Sequence, residues 1–534
     1  MRVQATRRGY SVTLFLILLI CYGYFLPKWA DWGANSRANL VYAVGDLGVL
    51  NIDAYHENTG DKACFPGPFV PDPNDVLKGD CTGHYYTDKS LGPSLLALPF
   101  YVVFKGIAAL PPIQNFIQSG RGIGAVGDTL NPEGEGIRPE AVYQYMALTF
   151  ITFFASAIPS AFLGVVVFWM AARFAKRDSM AFILALAYGL GTMAFPYSNA
   201  LYQHQLAAFG AFVGFYLLWR TIYEDADRRW LWVVGGLFSF AAITEYPVVP
   251  MLGILFLWAA YAMHDRVALY RVVLAGIPLV VVLLAFNYLT FGSVMPVGYQ
   301  YSTNWQGEHQ TGFLSLQLPN ADSLVRLYGL TFSPVRGIFV MSPFLLLALP
   351  GFVMMWRALP QRRGAVIAML LAIGFFFLYN ASSVMWWGGF TVGPRYLLPM
   401  LPFLALPAIF ALNWLMEPLW GRLLTAALIG VSVFSVGAMT IGGQLWPSVE
   451  VWPTTFALMN SYSTLFDHSL PLLAQGNVAR NLGILIGLPG LTSLIPLFIA
   501  VIAVGLARPP RIGRGSAASP TEAPTLKQAT GGSR

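Results

Sequence analysis

The stretch Val267–Leu289 reads VALYRVVLAGIPLVVVLLAFNYL, and its only charged residue is Arg271. A helix rises about 1.5 Å per residue, so roughly 20 such residues cross the ~30 Å apolar core of a bilayer. Twelve further apolar runs surround it: Tyr10–Leu26, Leu91–Ala109, Tyr143–Met170, Met180–Pro196, Leu201–Trp219, Trp230–Thr244, Val248–Met263, Gly337–Trp356, Ala365–Tyr379, Tyr396–Met416, Leu423–Ile441 and Leu482–Leu506. A soluble domain is about 25% charged; this chain is 11% charged and 56% hydrophobic. The expected fold is an all-α polytopic membrane protein of about 12–13 transmembrane helices.

The polar connections orient the bundle. Arg173, Lys176 and Arg177, then Arg220, Arg228 and Arg229, then Arg266 and Arg271 fall on one side. Arg357, Arg362 and Arg363, then Arg422, then Arg508, Arg511 and Arg514 continue the series. Long connections on the other side, 287–336, 382–395 and 442–480, carry few cations. Cytoplasmic loops attract Lys and Arg, so the basic side reads as inside and the long loops as outside. The net charge of +7 is spread over these loops and gives no nucleic-acid signature. Arg2, Arg7 and Arg8 place the N-terminus inside, ahead of an uncleaved first span. An inside C-terminus then requires an even number of crossings, so one of the thirteen runs does not cross. Leu91–Ala109, with Pro93, Pro99 and Lys105, is one candidate, as a re-entrant piece; a member of the Trp230–Met263 hairpin is the other.

Residues 1–506 read as one membrane domain and 507–534, rich in Pro, Ser, Gly and Thr, as a disordered cytoplasmic tail. The first outer loop, 27–90, is long. Within it Ser36–Leu50 reads as a short amphipathic helix on the membrane surface, and Asp61–Lys78 as irregular loop. Cys64 and Cys81 lie in this loop. In an oxidising compartment they would pair, contributing roughly 3 kcal/mol; otherwise they are two free thiols. Cys21 is an apolar filler in the first span. No metal-ligand spacing appears and nothing in the sequence calls for a cofactor, metal dependence being left open.

Two strings in the first loop carry most of the chemistry: Asn51-Ile-Asp53-Ala-Tyr55-His56 and Gly83-His84-Tyr-Tyr-Thr-Asp88-Lys89-Ser-Leu-Gly-Pro93. A carboxylate beside an apolar wall gains proton affinity, so Asp53 is a candidate base, with His56 assisting and Asp46 and Glu57 as competitors. The plain alternative is a loop aspartate capping a turn. Asp88-Lys89 opens an apolar run, where an ammonium can hold a lipid-linked phosphate or merely snorkel to the interface. Trp386-Trp387-Gly388-Gly389-Phe390-Thr-Val-Gly393-Pro394-Arg395-Tyr396 is the densest motif. Arg395 heads an outer span end, where the charge rule disfavours it, and a guanidinium suits phosphate. Trp387 either stacks on a sugar or belongs to the aromatic belt. His204 and Glu245 end spans on the outer side and are candidates for binding polar substrate atoms; a hydrogen-bonded core histidine is the simpler reading of His204. The 287–336 loop, with Tyr299, Tyr301 and Trp305, suits a cover over the site.

No Gly-x-x-x-x-Gly-Lys phosphate loop is present, which argues against a nucleotide-driven pump. No relay of intramembrane carboxylates appears, which argues against a proton-coupled transporter.

At these motifs the chain resembles the GT-C superfamily of polyprenyl-phosphate-sugar-dependent membrane glycosyltransferases, in the bacterial branch related to protein mannosyltransferases and aminoarabinose transferases. The resemblance rests on the acidic motif around Asp53, Asp88-Lys89-x-x-Gly-Pro93, Phe291-Gly-Ser, and Trp387-Gly-Gly-Phe-x-x-Gly-Pro-Arg395-Tyr, and spans roughly residues 10 to 416. It implies a multi-pass protein of the inner (plasma) membrane with an extracytoplasmic active site. The donor it implies is a polyprenyl-phosphate-linked sugar; the acceptor is an envelope glycan, lipid or protein. By the same resemblance Asp53 takes the acceptor proton, while Lys89 and Arg395 stabilise the departing phosphate. Many relatives carry adjacent acidic residues in this loop, whereas Asp53 stands alone with Glu57 four residues on. A lipid-linked saccharide flippase is the competing class, sharing the cationic groove but needing no base. A polymer ligase or polymerase of the envelope is a third.

Overall fold

The computed structural model describes residues 2–28, 31–65, 81, 83–119, 139–305, 321–383, 385–389, 392–442 and 459–507. The 508–534 tail, and the Phe390 and Thr391 positions of the tryptophan motif, lie outside the described residues, as do parts of the long outer loops.

All thirteen apolar runs lie on helices. Among the described residues six helices are long and apolar enough to cross a membrane: Glu140–Ala171, Gln203–Tyr223, Arg266–Phe291, Pro360–Ala381, Leu419–Ile441 and Gly490–Ala507. Two more qualify as bent pairs, Gly92–Ala108 with Pro111–Ser119 at 90° and Arg395–Ala405 with Ala408–Leu415 at 50°. Four shorter apolar helices, Asp178–Leu190, Trp230–Thr244, Tyr246–Ala262 and Pro343–Ala358, and the first helix, Arg2–Tyr24, join them in the bundle. The chain is an all-α polytopic membrane protein. The right-angle break after Gly92–Ala108 follows Leu110, at the Pro111-Pro112 pair, since proline cannot continue a helical hydrogen-bond ladder.

Small residues let the helices approach closely, the usual means of association where lipid removes the hydrophobic drive. A Cβ on Gly210 would lie 2.7 Å from the Leu237 carbonyl, and one on Gly235 would lie 2.2 Å from the Val272 carbonyl. Trp230–Thr244 is thereby clamped between Gln203–Tyr223 and Arg266–Phe291.

The 27–90 segment corrects one expectation. Its helix runs Trp32–Tyr42, and every residue from Gly33 to Tyr42 is buried, so it does not lie on a membrane surface. Its polar side chains find protein partners instead of water. Asn35 donates to the Asn58 carbonyl at 2.9 Å, Asn39 to the Tyr55 carbonyl at 2.9 Å, and Ser36 meets the Thr87 hydroxyl at 2.8 Å. Asp31 caps the helix by accepting from the Ala34 amide at 3.1 Å.

The same loop holds a small antiparallel hairpin, Lys62–Phe65 against His84–Thr87, with Lys62 opposite Thr87 and Phe65 opposite His84. A disulfide joins Cys64 to Cys81, their Cα atoms 5.7 Å apart. The segment before Trp305 lies along this hairpin: the Thr303 amide donates to the Lys62 carbonyl at 2.9 Å, and Asn304 to the Gly60 carbonyl at 2.9 Å.

Candidate functional site

The hairpin register decides which carboxylate stands beside Lys89. Lys62 pairs with Thr87, so Asp61 lies at the end of the hairpin where Asp88 and Lys89 leave it. Lys89 Nζ is 3.1 Å from Asp61 Oδ2 and 3.1 Å from Asp88 Oδ1. Trp305 Nε1 donates to Asp61 Oδ1 at 2.8 Å and Ser302 Oγ to Asp88 Oδ2 at 2.9 Å. The Lys89 ammonium also lies 5.3 Å from the Tyr299 ring centre. Burial alone would raise the Asp61 carboxyl, but the Lys89 ammonium and the Trp305 N–H outweigh it and hold it below its ordinary range. Burial pushes the Asp88 carboxyl up, against the pull of Lys89. Burial would lower Lys89, yet the two carboxylates overcome that and raise it.

Asp53 stands at the other end of the hairpin. Its Oδ1 accepts from the Tyr85 amide at 2.7 Å, and its Oδ2 lies 2.6 Å from His84 Nδ1. Lys89 is four residues beyond Tyr85, a span of up to about 13 Å in extended chain. Asp53 and its histidine partner are also open, with 39% and 53% of their side chains exposed. His56 does not bond to Asp53. It stacks on Tyr85 with ring centres 4.1 Å apart, and its Nδ1 lies 2.9 Å from Lys62 Nζ. Partial burial and that ammonium lower its basicity. Of the competing acids, Asp46 is engaged by Lys105 at 2.8 Å and by the Tyr101 hydroxyl at 2.6 Å.

Arg395 is built into its position by the glycines before it. Gly388, Gly389 and Gly393 have φ of 77°, 83° and 63°, in the left-handed region that favours glycine. A Cβ on Gly388 would lie 3.1 Å from Arg395 Cγ, and one on Gly389 would lie 3.1 Å from Arg395 Nη2. The buried Arg336 braces this loop, its Nη2 donating to the Gly389 carbonyl at 2.7 Å and its Nη1 to the carbonyls of Gly393, at 3.0 Å, and Trp387. The Trp387 ring packs beside Gly389 and lies 6.0 Å from the Arg336 guanidinium.

The Arg395 guanidinium lies 5.0 Å from the ring centre of Tyr202 and 5.5 Å from that of Tyr396. Among the described residues it has no carboxylate within ion-pair distance. Its Nε is buried without a hydrogen-bond partner among those residues. His204 contacts both tyrosines, with ring centres 6.1 Å from Tyr202 and 5.2 Å from Tyr396. Its Nδ1 lies 2.9 Å from Glu245 Oε1.

The Lys89 and Arg395 groups meet at Gly33. A Cβ there would lie 3.1 Å from the Tyr202 ring, 3.4 Å from Arg37 Nη1 and 3.4 Å from Asp61 Oδ2. Arg37 is 1% exposed and donates to the Gly33 carbonyl and to Gln203. The fold thus gathers Lys89, Asp88, Arg395, His204 and Glu245, leaves Asp53 at the hairpin's far end, and engages His56 with Lys62 and Tyr85.

Sequence reasoning missed Asp31, Arg37 and Asp61. Arg37 carried a readable signal, a lone cation in a segment otherwise free of charge from Gly33 to Gly45. Asp61 carried none, because its nearness to Lys89 comes from the hairpin register. Among the described residues no group of three or more His, Cys, Asp or Glu side chains could hold a metal ion.

The chain matches no family model and no curated protein. Among solved structures it is similar to the crystal structure of ArnT from Cupriavidus metallidurans bound to undecaprenyl phosphate, with a TM-score of 0.40 and 15% identity, over 94% of this chain and 74% of that one.

Proposed function

We propose that this chain is a membrane glycosyltransferase that moves a sugar from a polyprenyl-phosphate carrier to an acceptor on the extracytoplasmic face of the inner membrane. One observation carries the reading: Arg395 is wrapped by left-handed glycines, buried at its Nε, and lacks a carboxylate partner among the described residues. A guanidinium held that way, sharing the Tyr202 ring with Arg37 and set among tyrosines, suits a lipid-linked phosphate. Cations placed there would stabilise the charge that grows on the phosphate as the bond to the anomeric carbon breaks.

The base is read here as Asp61, for its contact with Lys89. At rest the ammonium quenches it. A carrier phosphate would compete for that ammonium, and the carboxylate, buried and relieved of its cation, would gain proton affinity. An acceptor hydroxyl could then give its proton to Asp61 as its oxygen attacks the anomeric carbon and the phosphate leaves. Asp53 is the second reading, favoured by its openness to an acceptor and its contact with His84.

Purified protein given radiolabelled polyprenyl-phosphate sugars and cell-envelope extract should transfer label to an acceptor. Asp61→Asn should cost about 10²–10⁴-fold in rate while carrier binding persists. Loss confined to Asp53→Asn moves the base to Asp53. Absence of any transfer, with lipid-sugar crossing vesicle membranes, gives the flippase reading instead.

A further inference from the structure

His204 and Glu245 are among the most deeply buried polar side chains of the protein, 0% and 5% exposed. They meet through one contact, His204 Nδ1 to Glu245 Oε1 at 2.9 Å. That leaves one atom on each side chain, His204 Nε2 and Glu245 Oε2, buried with no hydrogen-bond partner among the described residues. A buried unsatisfied polar atom costs about 1–3 kcal/mol. A dyad present only for stability would have its outer atoms bonded; this one has both unmet.

With one proton shared between Nδ1 and Oε1, His204 Nε2 carries a hydrogen and donates while Glu245 Oε2 accepts; with the imidazole hydrogen on Nδ1 and the carboxyl proton on Oε2, the two roles exchange. In both arrangements the outer atoms present one donor and one acceptor. One donor and one acceptor on adjoining side chains match two neighbouring hydroxyls of a sugar ring, one accepting and the other donating.

The position matches too. Tyr202 and Tyr396 each lie within 5.5 Å of the Arg395 guanidinium by ring centre, and both touch His204. The dyad is thus one aromatic ring away from the Arg395 guanidinium. In a glycosyl phosphate the ring hydroxyls lie about a ring's width from the phosphate.

Resting on the reading of Arg395 as the phosphate contact, we propose that His204 and Glu245 form the subsite that recognises the donor's sugar ring, through a pair of adjacent hydroxyls.

The test separates the two halves of the donor. Binding to the purified protein is measured for a bare short-chain polyprenyl phosphate and for its glucosyl, mannosyl, galactosyl and arabinosyl phosphodiesters. Wild type should bind at least one sugar-bearing lipid more tightly than the bare one. His204→Phe and Glu245→Leu should bind the bare lipid as wild type does and lose roughly ten- to a hundredfold on the preferred sugar lipid. Glu245→Gln, which can keep both the imidazole contact and an acceptor oxygen, should retain most of the preference. Melting curves identify variants that fail to fold; if both do, His204→Gln and Glu245→Gln carry the comparison, with loss of preference expected in the first alone. The inference is overturned if wild type does not prefer sugar-bearing lipid, if the folded variants keep that preference, or if they weaken both lipids equally. If wild type binds neither lipid, the transferase reading falls and the subsite with it.

Discussion

Asp61 and Lys89 form an ion pair at 3.1 Å with only 13% and 12% of their side chains exposed. The pair ties the start of one hairpin strand to the residue that leads into the next apolar helix. Lys89 also holds Asp88, so the three charges stand or fall together.

Breaking that group should be costly and pH-dependent in a defined direction. Asp61's carboxyl is held below its ordinary range, so its contribution to stability is full above about pH 4, the unfolded aspartate range, and is lost as pH falls through its lower folded value. Melting temperatures in detergent should fall for wild type as pH drops below about 4, with a smaller fall in Asp61→Asn. Lys89→Met, which strands two buried carboxylates, should cost about 3–5 kcal/mol at neutral pH. An unchanged melting temperature in Lys89→Met would show the pair to be dispensable.

Gly389→Ala should disturb Arg395 more than it disturbs the fold. The φ of 83° disfavours any Cβ, and the added carbon would lie 3.1 Å from Arg395 Nη2. A left-handed non-glycine residue costs about 1–2 kcal/mol. Affinity for polyprenyl phosphate should drop about tenfold or more, as in Arg395→Ala. Gly374→Ala, where a new Cβ meets nothing within 4 Å, should leave binding unchanged.

Removing the Cys64–Cys81 link, 17 residues apart in sequence, should lower stability by roughly 3 kcal/mol. Non-reducing peptide mapping should recover the two cysteines in one cross-linked fragment. Paired Cys64→Ser and Cys81→Ser changes should lower the melting temperature without altering the fold of the helical bundle, read by far-ultraviolet circular dichroism.

Orientation is read by labelling with a membrane-impermeant thiol reagent in a Cys21→Ala background. Gln300→Cys, exposed in the outer segment beside the hairpin, should react in intact cells. Arg229→Cys, at a side chain 90% exposed in a basic connection, should react only after permeabilisation. The reverse pattern would invert the topology and remove the extracytoplasmic site.

Much of the fold was legible because hydropathy is local. Trp230–Thr244 begins and ends where its apolar run does, and Val267–Leu289 sits inside Arg266–Phe291. Ser36–Leu50 misled for the opposite reason. Polar residues on a helix in an outer loop suggest a surface, yet Asn35, Ser36 and Asn39 are satisfied by partners brought from Asn58, Thr87 and Tyr55. Arg395 stood out in the sequence as a cation at a disfavoured span end among glycines. That Gly388 and Gly389 make room for its side chain could not be read there.

The sequence by itself determined the apolar helices, the inside–outside charge pattern and the residue types available for phosphate and proton chemistry, because each depends on composition along a short stretch. The tertiary structure alone decided that Lys89 faces Asp61 rather than Asp53. The physical reason is register: pairing Lys62 with Thr87 brings Asp61 alongside Lys89, and pairing Phe65 with His84 leaves Asp53 at the far end. Register between strands joined by a long loop is set by contacts distant in sequence, among them the bridge from Ala63 to Ser302.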